Sequence, residues 1–251
     1  MARPIVLVTG LSGLIGSALH RHLGAGAYEV RGLNRRAVPG VRCHQADIAD
    51  LAAIEPAFAG VDVVVHLAAA VGAPPFEAVV RDNVVGAYNV FEASRRAGVR
   101  RVVFASSGAV VSGGEGEPAL AALVAGRYAE VTSVPMLTHE SPLHPSGIYG
   151  ASKAWGESLG RHYADAHGLS VICVRIGRVK STDRPEAPRE FAVWCSQRDI
   201  ARFLERCVAA PPSVRFDTFF ATSNNRWGYR DLAHAREVLG WEPLDRAEDF
   251  R

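Results

Sequence analysis

Ile5-Val6-Leu7-Val8 is an unbroken apolar run that leads straight into Thr9-Gly10-Leu11-Ser12-Gly13-Leu14-Ile15-Gly16, and this stretch limits the possible folds most tightly. A short apolar run closed by a turn reads as a buried strand. Beyond the turn, Leu14, Ile15, Ala18, Leu19 and Leu23 recur at helical spacing. The same alternation continues down the chain. Tyr28–Leu33, Val41–Gln45, Val61–His66, Arg101–Ala105 and Ser170–Arg175 are strand candidates, and helical stretches near Asp50–Phe58, Pro75–Ala97 and Tyr149–His167 separate most of them. Alternation of this kind predicts an α/β fold with a doubly wound parallel sheet, right-handed crossovers and a ligand crevice at the carboxyl ends of the strands.

Past Arg175 the pattern changes. A proline- and charge-bearing loop at 184–189 precedes a helix (Arg198–Ala209), a strand (Val214–Ala221) and a last helix near Asp231–Leu239. The expected organisation is a dinucleotide-binding Rossmann domain over 1–175 and a small carboxyl-terminal substrate lobe over 176–251. An insertion of about 113–142 interrupts the first, and its alanine-rich middle, Pro118–Val131, favours an extra helix. A chain of 251 residues has enough material for one large core.

Bulk properties exclude several classes of function. A net charge of +2 gives no reason to expect nucleic acid or an anionic membrane as partner. No apolar run approaches the roughly 20 residues that span a bilayer, and the few residues before Ile5 are too short for a signal peptide. Cys43, Cys173, Cys195 and Cys207 lack metal or redox spacing, as expected for reduced thiols in a cytoplasmic protein. His139 and His144 lie in a proline-bearing loop without further ligands, so no metal site is expected.

Gly10, Gly13 and Gly16 fall after a predicted strand and at the start of a predicted helix. Glycine permits the tight turn, the approach of backbone to a pyrophosphate, and close packing of helix on strand. The helix amino terminus adds free N–H groups and partial positive charge. Gly10 through Gly16, with Leu11, Ser12, Leu14 and Ile15 between, are therefore a candidate dinucleotide cradle. At the end of the second strand, Asn34-Arg35-Arg36 stands where a carboxylate would bind the ribose hydroxyls of NAD. Nothing there repels a 2′-phosphate and two guanidiniums are available to grip it, so NADP is favoured and NAD remains possible. The alternative is a pair of solvated arginines. Asp47 and Ile48, after the third strand, are placed to hold the adenine.

Tyr149 and Lys153 are one helical turn apart on the same face. A neighbouring ammonium, helped by an oxidised nicotinamide, favours the phenolate, so Lys153 is expected to pull the Tyr149 pKa down and make the pair a proton relay. Lys153 can also hold the cofactor ribose. Ser106-Ser107, at a neighbouring strand end, supplies a third member, with Ser107 as donor to the reacting oxygen and Ser106 turned toward the cofactor. Asn83 positions a water or backbone group near Lys153, or is a buried structural amide. Arg184 and Arg189 stand at the mouth of the expected pocket or in a solvated loop.

Gly10-x-x-Gly13-x-x-Gly16, His66-Leu67-Ala68-Ala69, Ser106-Ser107, Tyr149-x-x-x-Lys153 and Leu239-Gly240-Trp241-Glu242-Pro243 together resemble the extended short-chain dehydrogenase/reductase superfamily, the NAD-dependent epimerase/dehydratase group, over essentially the whole chain. Within it, Pro75-Phe76-Glu77, Val103–Ser107, Val174–Gly177 and the run from Trp194 to Asp199 look most like the uronate dehydrogenases. The resemblance implies that Leu67, Ala68 and Ala69 join the cofactor site, that Arg175 clamps a substrate carboxylate, and that the long helices pair in a homodimer. Where that subfamily carries polar substrate contacts, this chain has Gly108, Ala109 and Val71, and its insertion is longer. A polyhydroxylated sugar would then leave groups unpaired, so the expected substrate has fewer hydroxyls or is read by the insertion.

Three functions fit these residues. The leading one is an NADP-favouring oxidoreductase that moves hydride to or from a hydroxyl or keto group of a small, sugar-like or anionic substrate through Ser107, Tyr149 and Lys153. The second is a nucleotide-sugar epimerase or dehydratase with tightly held cofactor, disfavoured by the short chain after Arg175. The third is a catalytically silent NADP sensor, which has no need of the Ser-Tyr-Lys set.

Overall fold

The computed structural model describes residues 3–24 and 26–251, and the apolar runs become seven parallel strands. They are β1 (Ile5–Thr9), β2 (Glu29–Asn34), β3 (Arg42–Gln45), β4 (Val63–His66), β5 (Arg101–Ser107), β6 (Ser170–Ile176) and β7 (Phe216–Ala221). Their spatial order is β3-β2-β1-β4-β5-β6-β7. The chain works outward from β1 to β3, then crosses back to β4, so direction reverses between β1 and β4. Crossover loops leave opposite sides there and open a crevice at the carboxyl ends of the strands. Register places Thr9 beside His66, His66 beside Phe104, and Ser107 beside Ile176 along that rim.

Alternation along each strand explains why both faces are covered. Val6, Val8, Val63, Val65, Val103, Ile172 and Val174 pack against helices Leu14–Leu23 and Gln197–Ala209. The intervening Leu7, Val64, Val102, Phe104, Val171 and Cys173 meet helices Gly86–Arg96 and Gly147–His167. Strands buried on both sides read as continuous hydrophobic runs. Each such side chain contributes roughly 1.5–3 kcal/mol on removal from water.

Three elements differ from the sequence reading. The strand expected in the carboxyl-terminal lobe is β7, which pairs with β6 and completes the main sheet, while Gln197–Ala209 covers one face of that sheet. Beyond Ile176 the crevice is lined by Gly177, Arg178, Val179, Arg189 and Arg230. The long helix expected over Pro75–Ala97 is a composite of a short helical turn (Phe76–Ala78), a π-helical stretch (Val79–Val85) and an α-helix (Gly86–Arg96). The wider turn lets the Asn83 amide leave the helix, where Oδ1 accepts from the Ala70 N–H at 2.8 Å and Nδ2 donates to the Ala70 carbonyl at 3.1 Å. Finally, the α-helix of the insertion spans Pro118–Val124, because the chain turns through Gly126 at φ +76° soon after, and a single 3-10 turn follows at Tyr128–Glu130. Leu120 and Leu123 of that helix pack with Ala192, Val193 and Tyr229, so the insertion rests on the carboxyl-terminal segment. Among the described residues no helix is long and apolar enough to cross a membrane, and no cluster of side chains is suited to a metal.

Candidate active site

The glycine turn forms as its spacing requires. Gly10 adopts φ +68°, and a Cβ there would sit 2.9 Å from Cα and N of Ala68. A Cβ on Gly16 would lie 2.6 Å from the Gly10 carbonyl oxygen and 2.7 Å from Leu11 Cα. Helix Leu14–Leu23 begins at Gly13 with no side chain capping it, so its first N–H groups are directed at the crevice without a protein partner. That uncapped terminus, above a turn too tight for side chains, fits a dinucleotide pyrophosphate. Leu11 departs from the expectation: its side chain is buried in the core rather than facing the crevice.

Asn34 holds the turn to the end of β2. Its Oδ1 accepts from Ser12 Oγ at 3.1 Å and its Nδ2 donates to the Arg36 carbonyl at 2.9 Å. Arg35 and Arg36 are exposed, line the crevice, and have no carboxylate partner among the described residues. Asp47 and Ile48 line it next to them, with the Asp47 carboxylate engaged by Arg81 and by the Ala49 N–H at 3.0 Å. Opposite them, Leu67, Ala68 and Ala69 form the wall that follows β4, and Val71 is exposed beyond it. Thr9 pins this wall: its Oγ1 accepts from the Ala68 N–H at 3.1 Å and shares a hydrogen bond of 2.7 Å with His66 Nδ1. Burial, helped by the Lys153 charge, holds the His66 pKa down to about 3, so its ring is neutral.

Ser107, Tyr149 and Lys153 converge on the same crevice, whose volume of about 1240 Å³ exceeds the roughly 300–1,000 Å³ of an ordinary small-molecule site. Lys153 is buried, and its Nζ donates to the Ala105 carbonyl at 2.8 Å and lies 5.8 Å from the centroid of the Tyr149 ring. Burial lowers the Lys153 pKa to about 8. Burial also pushes the Tyr149 phenol above its ordinary value, and a hydrogen bond with Ser107 offsets only part of that. From the protein's own groups alone, the shift runs opposite to the expected direction. Desolvation of the phenol dominates, and the ammonium expected to favour the phenolate is itself partly desolvated and turned to a backbone carbonyl.

One more expectation is qualified and another corrected. Ser106 lines the crevice as expected, but its hydroxyl is donated to Glu157 Oε1 at 2.6 Å. Arg175 is absent from the crevice lining; its Nε and Nη2 donate to the two oxygens of Glu157 at 2.9 and 2.8 Å, beneath the site. Alternate residues of a strand point to opposite faces, and Arg175 shares the Glu157 side with Cys173. Asn83 takes the structural option, with Nδ2 also donating to Ser152 Oγ at 3.0 Å beside Lys153.

Glu157 escaped the sequence reading although a signal was present. Tyr149, Lys153 and Glu157 repeat at four-residue intervals on one helix, so all three share a face. The buried carboxylate joins Ser106 of β5 and Arg175 of β6 to the helix that carries the tyrosine. Also unread were Ser112, Glu115 and Arg230, which line the substrate end with Arg189. No local motif marks them, because they come from the insertion and from the far end of the chain.

Comparison with known proteins agrees with this geometry. The model of the NAD dependent epimerase/dehydratase family matches residues 6–238. The NAD-dependent glucose-6-phosphate dehydrogenase of Haloferax volcanii is 34% identical over 268 residues, covering 98% of this chain and 95% of that protein. The L-arabinose 1-dehydrogenase (NAD(P)(+)) of the same organism is 32% identical over 259 residues, covering 98% of both. The crystal structure of uronate dehydrogenase from Agrobacterium tumefaciens superposes with a TM-score of 0.83 at 32% identity, over 100% of this chain and 88% of that one. The chain belongs to the NAD dependent epimerase/dehydratase family of nicotinamide-dependent enzymes.

Proposed function

We propose that this protein is a dehydrogenase that acts on a hydroxyl of a small sugar or sugar acid, with Ser107, Tyr149 and Lys153 as its proton-handling group. The observation that carries the proposal is the meeting of these three side chains in one crevice with the glycine turn and the uncapped helix terminus. When bound, a nicotinamide supplies the hydride acceptor or donor. Ser107 Oγ, in the same crevice as Tyr149, orients the substrate oxygen, and Tyr149 carries the proton to or from it. Lys153, with a pKa near the working range, is the group through which that proton is exchanged. Because the phenol is held protonated by burial, it is ready to give a proton to a carbonyl oxygen. To accept one from a hydroxyl it must first lose its own. Oxidation therefore rises with pH and reduction falls.

The adenosine end supports a preference for NADP. Arg35 and Arg36 are free to meet a 2′-phosphate, and Asn34, committed to Ser12 and the Arg36 carbonyl, offers no carboxylate to the ribose. The test is turnover of NADP⁺ and NAD⁺ with a panel of aldoses, uronates and glucose 6-phosphate, followed as nicotinamide absorbance. Net reduction that Tyr149→Phe abolishes, with cofactor affinity retained, is the expected result. Turnover with no net change in the cofactor would replace this reading by an epimerase, and strong residual activity in the variant would remove Tyr149 from its role.

A further inference from the structure

Arg230 reaches the substrate end of the crevice from the carboxyl-terminal segment. It is only 4% exposed and lines the same space as Ser107 and Tyr149. The guanidinium stands directly over Gly108, the residue after Ser107: a Cβ on Gly108 would lie 2.2 Å from Arg230 Nη1 and 2.3 Å from Cζ and Nη2. Gly108 is thus the vacancy into which this arginine fits. Arg230 Nη2 donates to Ser112 Oγ at 3.2 Å, while Nε is buried without a partner among the described residues. The ring centroids of Phe220 and Tyr229 lie 5.9 and 5.4 Å from Cζ, within cation–π range of the head group.

Charge around this wall is unbalanced. Glu115, the carboxylate nearest Arg230, lies 3.8 Å away and is already held by the fork of Arg189, whose Nη2 donates to Oε1 at 2.7 Å, and by the Tyr229 hydroxyl. Two guanidiniums against one carboxylate leave one positive charge. The other carboxylates face other cations: Asp47 and Asp82 share Arg81, Glu157 is paired with Arg175, and Glu190 with Lys180 and Arg178. His66 is neutral. A buried guanidinium with an unused donor and no full counter-charge is unfavourable unless something else supplies them.

We propose that Arg230 is a specificity-determining residue that binds a carboxylate carried by the substrate whose reacting oxygen sits at Ser107 and Tyr149. A single surplus charge matches a monoanion better than a phosphate dianion. The fork of Arg189, filled from within by Glu115, leaves that task to Arg230. This assignment rests on the dehydrogenase reading for its reacting atoms but not for its anion contact.

The experiment compares D-glucuronate and D-galacturonate with D-glucose and glucose 6-phosphate in the wild-type protein and in Arg230→Met and Gly108→Ala. Loss of one buried charged partner is expected to lower kcat/KM for the uronates about a hundredfold, mainly through KM. Activity on D-glucose and the cofactor Kd should change less than about threefold. Gly108→Ala keeps the charge but displaces the guanidinium, and should weaken D-glucuronate binding, read by calorimetry, even if Arg230→Met folds poorly. Equal losses on charged and neutral sugars, unchanged uronate activity, or a greater loss on glucose 6-phosphate than on the uronates would overturn the assignment. If no sugar is turned over by the wild type, the dehydrogenase reading fails on its own. Calorimetric titration of D-glucuronate into the cofactor-saturated protein then decides the anion contact: binding lost in both variants supports Arg230, and absent or variant-independent binding refutes it.

Discussion

Replacing Lys153 by methionine should destroy activity and make the protein more stable. The ammonium is buried, and its pKa is lowered from 10.5 to about 8 by desolvation alone. At about 1.4 kcal/mol per pKa unit, holding it charged at neutral pH costs about 3 kcal/mol. Methionine has a similar length and no charge, but it forfeits the hydrogen bond to the Ala105 carbonyl, worth about 1 kcal/mol. A net gain of about 2 kcal/mol follows, or an increase in Tm of roughly 4–8 °C for a chain of this size. The sign with pH is definite. Between the folded value near 8 and the unfolded value near 10.5, the unfolded chain binds more protons, so the wild type gains stability as pH rises through that window. The methionine variant gains nothing from this group there, and its advantage should shrink toward zero by about pH 10. Thermal melts of both proteins at pH 7 and pH 10 measure the effect. A variant less stable than wild type at pH 7, or an advantage that does not depend on pH, would show that Lys153 is not held at a cost.

Other substitutions test separate parts of the argument. Arg175→Met leaves the Glu157 carboxylate buried and unpaired, and should destabilise the protein by about 3–5 kcal/mol, read from denaturant melts. If Arg175 instead gripped substrate, the fold would be nearly unaffected and KM would rise. Gly16→Ala drives a methyl group into backbone 2.6–2.7 Å away; calorimetry should show cofactor binding weakened at least tenfold, since the turn must shift. Arg35→Ala should weaken NADP⁺ more than NAD⁺, and equal losses would remove the 2′-phosphate argument.

The sheet was legible because its signal is local. Ile5–Val8 and Val63–Val65 are apolar without interruption, as strands covered on both faces must be, and the glycines at 10, 13 and 16 mark a tight turn between strand and helix. The assignment of Tyr149 and Lys153 to one crevice with Ser107 also followed, since the carboxyl ends of parallel strands meet at one edge. Residue type alone was insufficient for Arg175. An arginine at a strand end suits a carboxylate, but whether that carboxylate belongs to a ligand or to Glu157 depends on which face of β6 it occupies. The partner of the Ser106 hydroxyl, the same Glu157, was hidden for the same reason. The direction of the Tyr149 shift was hidden because desolvation depends on packing from the whole chain, whereas the nearby lysine is visible at four-residue spacing. Arg230 lay beyond reach: it meets Gly108 only because β7 joins the sheet and returns the chain over the crevice.

The seating of the insertion on the carboxyl-terminal segment has an evolutionary corollary. Glu115 belongs to one, Arg189, Tyr229 and Arg230 to the other, and each satisfies charges or hydroxyls of its counterpart. Grafting the 113–142 stretch alone into a relative would strand an acid in a dry wall, and grafting the tail alone would strand two cations. Neither piece is inheritable by itself at little cost, so homologues should gain or lose the two as a linked pair, while the strand-edge serine and the tyrosine–lysine helix drift independently of them.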